Sequence, residues 1–334
     1  MAFDMLIGNE ELRARLARDI RAHRLSHAYI LEGAVGSGKR TLARAVCAAL
    51  ACERESGELP CGTCPACRKV LEDKCPDVTC VRRQKDKASI GVDDVRFIRS
   101  DVLFHPNDLS TKIYVIEQAD LMTKEAQSAL LLTLEEPPEY VLFLLLCQRA
   151  SSLLETIRSR APVLRLSPIP SEQIEAHLAV RESAFAALDA RQRAEVLLLA
   201  DGSVGRAIAL SQEKERQPLM ERRSLARDYL CAVLGSRDMT VLEDLLSRLA
   251  AENKRESLVL QLEDIELALR DLILLKRSEE APLRFYTDRQ EAASLCERVS
   301  SATLLGLFDE VENARAQLLR NANVRLVLTS LLLL

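Results

Sequence analysis

Seven residues, Gly33 to Lys39, fit the pattern G-x-x-x-x-G-K with a further glycine, Gly36, inside it. The apolar run Ala28 to Leu31 comes before them, and apolar residues at helical spacing (Leu42, Ala45, Val46, Ala49) come after. Strand, glycine turn, lysine and helix is the order of a phosphate-binding loop. Glycines let backbone N–H groups curl around an anion, and the helix start adds its positive dipole end. Gly33, Gly36, Ser37, Gly38, Lys39, Arg40 and Thr41 form the candidate site for ATP or another nucleotide, with Lys39 reaching the outer phosphates. The hydroxyl that normally follows the lysine and faces a metal is replaced by Arg40. Thr41 stands one residue further on, about 100° around the helix. Phosphate binding therefore follows from the pattern, whereas Mg2+-assisted hydrolysis does not. The competing reading is a glycine turn that only starts a helix.

Cys61, Cys64 and Cys67 form C-x2-C-x2-C, and Cys52 lies nine positions before them. Four thiolates about 2.3 Å from a zinc ion satisfy a tetrahedral shell, and a shell with no open position is structural. Cys52, Cys61, Cys64 and Cys67 are the expected ligands of Zn2+, with Cys75 and Cys80 as rivals. Cys47, Cys147, Cys231 and Cys296 sit in apolar periodic runs and read as core.

The run Ile113 to Ile116 ends in Glu117, Gln118 and Asp120, where a phosphate-loop ATPase keeps the acid that holds magnesium's water shell and often a second acid as base. Glu117 is one methylene longer than the usual aspartate, and the amide of Gln118 has no useful basicity. Arg158, Ser159 and Arg160 follow a short helix. They read either as a surface salt-bridge patch or as an arginine aimed at the phosphates of a neighbouring subunit.

These side chains need a scaffold. Residues 9–22 carry Leu12, Leu16 and Ile20 on one helical side, and further helices are expected over about 92–103 and 124–134. Strands are expected at 113–116, 141–146 and 163–166 beside the first. Short apolar strands alternating with helices predict a parallel sheet covered on both faces. Beyond Pro168 and Pro170 only helical patterns remain, over 221–234, 240–250, 256–277, 290–299 and 303–319, with Gln212 to Pro218 as a charged break. The terminal Leu331 to Leu334 reads as part of a packed helix face.

The chain has 334 residues, enough for two or three cores, and is 48% hydrophobic and 29% charged. A net charge of −4 argues against a free-standing nucleic-acid binder. With no Trp, seven Phe and five Tyr, base-stacking platforms are scarce. No secretion signal is evident and no apolar run is long enough to span a bilayer, so a cytoplasmic location without membrane contact is expected. The basic run Arg82 to Lys87 reads as solvated or as a DNA contact, and the four histidines lack metal spacing.

Phe3 to Asn9, Arg24 to Tyr29, the glycine loop, the four-cysteine spacing, Leu134 to Pro138 and Ile157 to Arg160 occur in the order found in clamp-loader subunits of bacterial DNA polymerase III. Over about residues 3–210 the chain resembles that family. The resemblance implies an AAA+ P-loop domain with a parallel sheet and an inserted zinc module, then a small helical lid domain and an all-helical collar. The corresponding ranges are 1–167 (zinc module 52–67), 168–212 and 213–334. Glu117-Gln118, Lys39-Arg40, the Gly202 to Arg206 segment and the lack of a long tail make the chain similar to the delta-prime group rather than to the gamma/tau motors. In that group an arginine finger, here Arg160, serves the ATP of the adjacent motor subunit. Ala161, Leu132 and Cys147 depart from the family's usual cysteine, lysine and polar residue. The implied partners are gamma/tau and delta subunits, the sliding clamp and primed DNA. The alternatives are an ATP-hydrolysing gamma/tau-type motor and a zinc-stabilised DNA-binding module.

Overall fold

A computed structural model describes the chain except for residues 1–5, 55–56, 58, 85–86, 236–239, 241, 243, 246–247, 249–254, 298 and 333–334. It divides into two compact units, Met1–His177 with Gly202–Arg206, and Leu178–Asp201 with Ala207–Leu334.

The first unit is built on five parallel strands: β1 (Ala28–Glu32), β2 (Val78–Val81), β3 (Lys112–Ile116), β4 (Val141–Cys147) and β5 (Val163–Arg165). Their spatial order is β2-β3-β4-β1-β5, so β1 lies between two bonded neighbours. Period-two alternation sorts the strand side chains onto two faces. Tyr29, Leu31, Ile113, Val115, Leu142, Leu144 and Leu146 pack with Leu16 and Ile20 of α1 (Glu10–Arg21) and with Leu42 and Val46 of α2 (Lys39–Ala51). Ile30, Tyr114, Ile116, Phe143 and Leu145 pack on the other face with Val95 and Ile98 of α4 (Val92–Asp101) and Leu130 of α5 (Lys124–Glu135). A fully parallel sheet needs both coats, which is why its strands read as unbroken apolar runs. The α/β class and the two-sided cover match the expectation.

Edge strand β2 has no counterpart in the expected elements. Of its four residues Val78-Thr79-Cys80-Val81, the first two are half-exposed, Cys80 is exposed and only Val81 is buried, so the run is neither alternating nor wholly apolar. It is held to β3 in parallel register and is followed directly by Arg82.

In the second unit a single core joins helices Glu213–Leu234, Arg255–Leu275, Arg289–Glu297, Ser301–Leu319 and Val324–Leu332. The charged stretch after Gln212 is not a break. It is the first part of a 22-residue helix that contains Pro218. Arg216 there is buried and donates to the carbonyl oxygens of Leu210 and Ser211, capping the chain that precedes it. The expected helix over 240–250 lies largely outside the described residues. Leu331 packs in the core as expected, while Cys231 is exposed, which corrects its reading as a core residue. No helix among the described residues is long and apolar enough to cross a membrane.

A buried carboxylate fixes the loop before β3. Asp77 is fully inaccessible and accepts backbone N–H groups from Asn107, Asp108 and Leu109 at 2.7, 2.6 and 2.8 Å. Burial alone would raise its pKa, but these donors and the charge of Lys112 outweigh it and hold the carboxyl below its ordinary value. A depressed folded pKa stabilises above the unfolded value and is lost as pH falls through the folded one. Stability should therefore drop as pH is lowered below about 4. Asp77→Ala should cost about 3 kcal/mol at neutral pH and flatten that acid limb, as read by urea denaturation across pH.

Candidate functional site

At the C-terminal edge of the sheet, β1 ends at Glu32 and residues 33–38 turn into α2. Gly36 and Gly38 have φ of 76° and 94°, a region that side chains with Cβ rarely adopt. Their lack of a side chain is also used for space. A Cβ at Gly38 would lie 2.4 Å from Leu6 Cδ1, and one at Gly36 would lie 2.5 Å from Ser203 Oγ and 2.7 Å from the Arg206 nitrogen. The Gly202–Arg206 segment thus lies directly against the loop: Gly205 N–H donates to Gly36 O at 2.9 Å, and Ser203 Oγ donates to Val35 O at 2.9 Å.

Lys39 begins α2 and folds back over the turn, its Nζ donating to the carbonyls of Gly33 and Ala34 at 2.6 Å each. Burial lowers the Lys39 pKa, and the neighbouring Cys147 and Asp120 oppose that shift. Ser37 is 6% exposed and its hydroxyl has no partner. Thr41 is half-buried in the first turn of α2, and Arg40 is exposed. The structure therefore brings the whole predicted set, Gly33, Gly36, Ser37, Gly38, Lys39, Arg40 and Thr41, to one strand-to-helix turn. The start of α2 has no side-chain cap, so its first N–H groups suit an anion.

The acidic side of the site is already engaged. Glu117, just past β3, has Oε1 3.1 Å from Arg40 Nε and 3.0 Å from Arg82 Nε. Asp120 accepts the backbone N–H of Gln148 at 3.3 Å. Glu32 accepts from Ala150 N–H at 2.8 Å and from Arg165 at 2.7 Å, and these bonds lower its pKa. Cys147 ends β4, and its thiol is pushed up to about 12, first by burial and then by Asp120 and Glu32. In the sequence Arg82 reads only as part of the basic run 82–87, because β2, which places it beside β3, is too short and too exposed to read from the sequence. The contribution of Ser203 and Gly205 is likewise invisible to local patterns, since about 170 positions separate them from the loop they touch.

Arg160 follows the short helix α6 (Glu155–Arg158) and lies away from these contacts in its bonding. Its guanidinium donates to Thr156 O at 3.0 Å and to Ser159 Oγ at 3.3 Å, and pairs with Glu135 at 2.9 Å. The side chain is 37% exposed, and Arg158 beside it is exposed.

The four predicted cysteines converge. The sulfurs of Cys52, Cys61, Cys64 and Cys67 all lie within 4.8 Å of one another, and this is the only such group of His, Cys, Asp or Glu ligands among the described residues. A tetrahedron with about 2.3 Å bonds calls for sulfurs about 3.8 Å apart, close to this spacing. Cys52 caps the end of α2, and Cys64 is the N-cap of α3 (Pro65–Leu71). Backbone N–H groups point at the sulfurs: Cys61 N to Cys52, Cys64 N to Cys61 and Cys67 N to Cys64, at 3.3–3.4 Å. Such donors favour thiolate. Hydrogen bonds led by the Thr63 hydroxyl lower the Cys61 pKa to about 5, while burial raises that of Cys67. The cluster can hold a metal ion. Cys75 is buried and Cys80 exposed, and neither belongs to it.

Comparison with known proteins agrees with this architecture. The family model described as DNA polymerase III, delta subunit matches residues 8–170, and that described as DNA polymerase III, delta subunit, C terminal matches residues 223–334. The chain is 40% identical to DNA polymerase III subunit delta' of Yersinia pestis over 134 residues, 40% of this chain and 39% of that protein. It is 34% identical to subunit tau of Bacillus subtilis over 52% of this chain and 30% of the relative. It is 32% identical to subunit tau of Escherichia coli over 63% and 32%. The chain spans about a third of the length of these curated relatives. Among solved structures, a DNA polymerase III gamma subunit-related protein of Thermotoga maritima is 19% identical, with coverage of 95% and 97% and a TM-score of 0.44. The DNA clamp loader delta protein of Bacillus subtilis is 10% identical, with coverage of 100% and 98% and a TM-score of 0.38. Models described as DNA polymerase III, delta subunit account for both ends of the chain, which therefore carries DNA polymerase III delta-subunit family domains and is similar to clamp-loader subunits.

Proposed function

We propose that this chain is a clamp-loader subunit of the delta-prime kind. It helps to load the sliding clamp onto primed DNA, together with gamma/tau and delta subunits, in a cytoplasmic replication complex. In this reading Arg160 serves ATP held by an adjacent motor subunit, and the chain does not hydrolyse ATP itself. The observation that carries the reading is the engagement of Glu117 by Arg40 and Arg82, which commits the acid directly after β3 to two guanidiniums instead of to magnesium's water shell. Magnesium's usual hydroxyl ligand is also missing, and Gln118 supplies no base. The residues present do not fit a Mg2+ site.

Arg160 has the properties that a finger requires. It is permanently charged, partly exposed, and tied to the surface only by an exposed pair and two local hydrogen bonds. The rival reading, an ATP-hydrolysing motor, draws support from the complete glycine loop and from the tau relatives. It requires Glu117 to be released from both arginines, and it predicts clear ATP turnover by the isolated chain that Arg160→Ala leaves unchanged.

The four cysteines are proposed to hold a structural zinc ion, with Cys52, Cys61, Cys64 and Cys67 as ligands. Zinc would join the end of α2 to α3 and supply no chemistry to the nucleotide site.

Arg160→Ala should leave the fold intact and depress ATP turnover of the reconstituted complex, by on the order of 10³-fold at the one adjoining site. Identical steady-state rates for complexes carrying either version would count against a finger. Cys64→Ser or Cys67→Ser should release one zinc per chain by elemental analysis and lower the thermal midpoint of the first unit. Purified wild-type protein that carries no zinc, and gains no stability when zinc is added, would remove that assignment.

A further inference from the structure

Magnesium beside a phosphate loop takes near-octahedral oxygen ligands, ordinarily including the hydroxyl after the lysine, with an acid on a neighbouring strand behind its waters. Here the first of these is a guanidinium, and the second is bonded to it. Glu117 Oε1 lies 3.1 Å from Arg40 Nε and 3.0 Å from Arg82 Nε, with the carboxylate side chain 18% exposed and the two arginines 51% and 46% exposed. Two permanent cations on one carboxylate oxygen repel a third cation. The remaining acids at this edge, Asp120 and Glu32, already accept backbone N–H groups. The donors on the phosphate side remain in place. The uncapped start of α2, Lys39 and the buried Ser37 hydroxyl, which has no partner, converge on the turn that Arg40 adjoins.

We propose that this loop takes a nucleoside polyphosphate without magnesium, with the Arg40 guanidinium supplying the positive charge that the metal supplies in hydrolysing relatives of the fold. The inference rests on reading Gly33 to Lys39 as a nucleotide site. The planar fork of an arginine matches the oxygens of a phosphate group, and the metal-free nucleotide carries more negative charge than its magnesium complex. If a phosphate draws Arg40 away, Glu117 keeps its bond to Arg82 and is not left as an uncompensated carboxylate. The second arginine therefore makes the exchange feasible. Because Arg40 is more exposed than Glu117, it can swing toward a ligand without unpacking the sheet edge.

The test is calorimetric titration of ATP into the full chain at matched ionic strength, once in EDTA and once in excess magnesium. Binding as tight or tighter in EDTA is expected, and Arg40→Thr should weaken the EDTA binding by about tenfold. A melting curve checks that the variant is folded, and if it is not, the two wild-type titrations decide alone. Wild-type binding that is tighter with magnesium overturns the inference and keeps the nucleotide site. Unchanged EDTA binding by folded Arg40→Thr overturns the role of Arg40. No heat in either buffer, with wild type and Lys39→Ala alike, overturns the nucleotide reading and this inference with it.

Discussion

One carboxylate oxygen, Glu117 Oε1, joins three segments that are remote in sequence: the first residue after the loop lysine, the end of edge strand β2 and the end of β3. Its two partners are about half exposed, so the net stabilisation from each pair is small, of the order of 1 kcal/mol or less. The consequence is chemical more than energetic. An acid that shares one oxygen between two guanidiniums is a poor support for a metal ion, and an arginine held beside the loop is a ready partner for phosphate. In the proposed reading the same contact would remove one capacity from the site and supply another.

Helix α2 connects that edge to the cysteine cluster. Its first turn carries Lys39, Arg40 and Thr41, and its end is Cys52. As a thiol, without a bound metal, Cys67 Sγ also donates to the carbonyl of Ala48, one turn before that end. With Leu42, Val46 and Cys47 buried against the sheet, the helix has little freedom to tilt. Thiolates gathered around a metal would fix its far end, while Gly36 against Gly205 fixes the turn at its near end. Both constraints act on the position of the helix.

Much of this was legible in the sequence, for reasons that differ by element. Strands β1, β3 and β4 are buried on both faces and so appear as apolar runs, and the C-x2-C-x2-C spacing draws its sulfurs together by local turns. Strand β2 was not legible, because an edge strand of four residues with only Val81 buried has no period to detect. The stretch from Gln212 to Pro218 looked like a break because of its charges and its proline, yet Arg216 finds buried carbonyl partners and the helix runs through. Cys231 sits in a periodic run but on its solvent side. The contact of Ser203 and Gly205 with the loop depends on the fold alone, and no local composition could report it.

The role proposed for Arg160 would make a surface ion pair functional without its being stabilising. Its partner Glu135 is 40% exposed, and at such exposure the pair's Coulomb gain is largely offset by side-chain entropy and screening. Breaking it therefore costs little. A phosphate at a subunit boundary offers the same guanidinium a stronger, charge-assisted contact in a drier setting. In the proposed role, the pairing with Glu135 would hold the side chain near the end of α6 until such a contact formed, and would then compete only weakly with it. An arginine buried in a fully satisfied network could not be recruited in this way, because its removal would leave uncompensated groups behind. The modest strength of the Arg160–Glu135 pair is thus the property that would suit Arg160 to the proposed role on a neighbour's nucleotide.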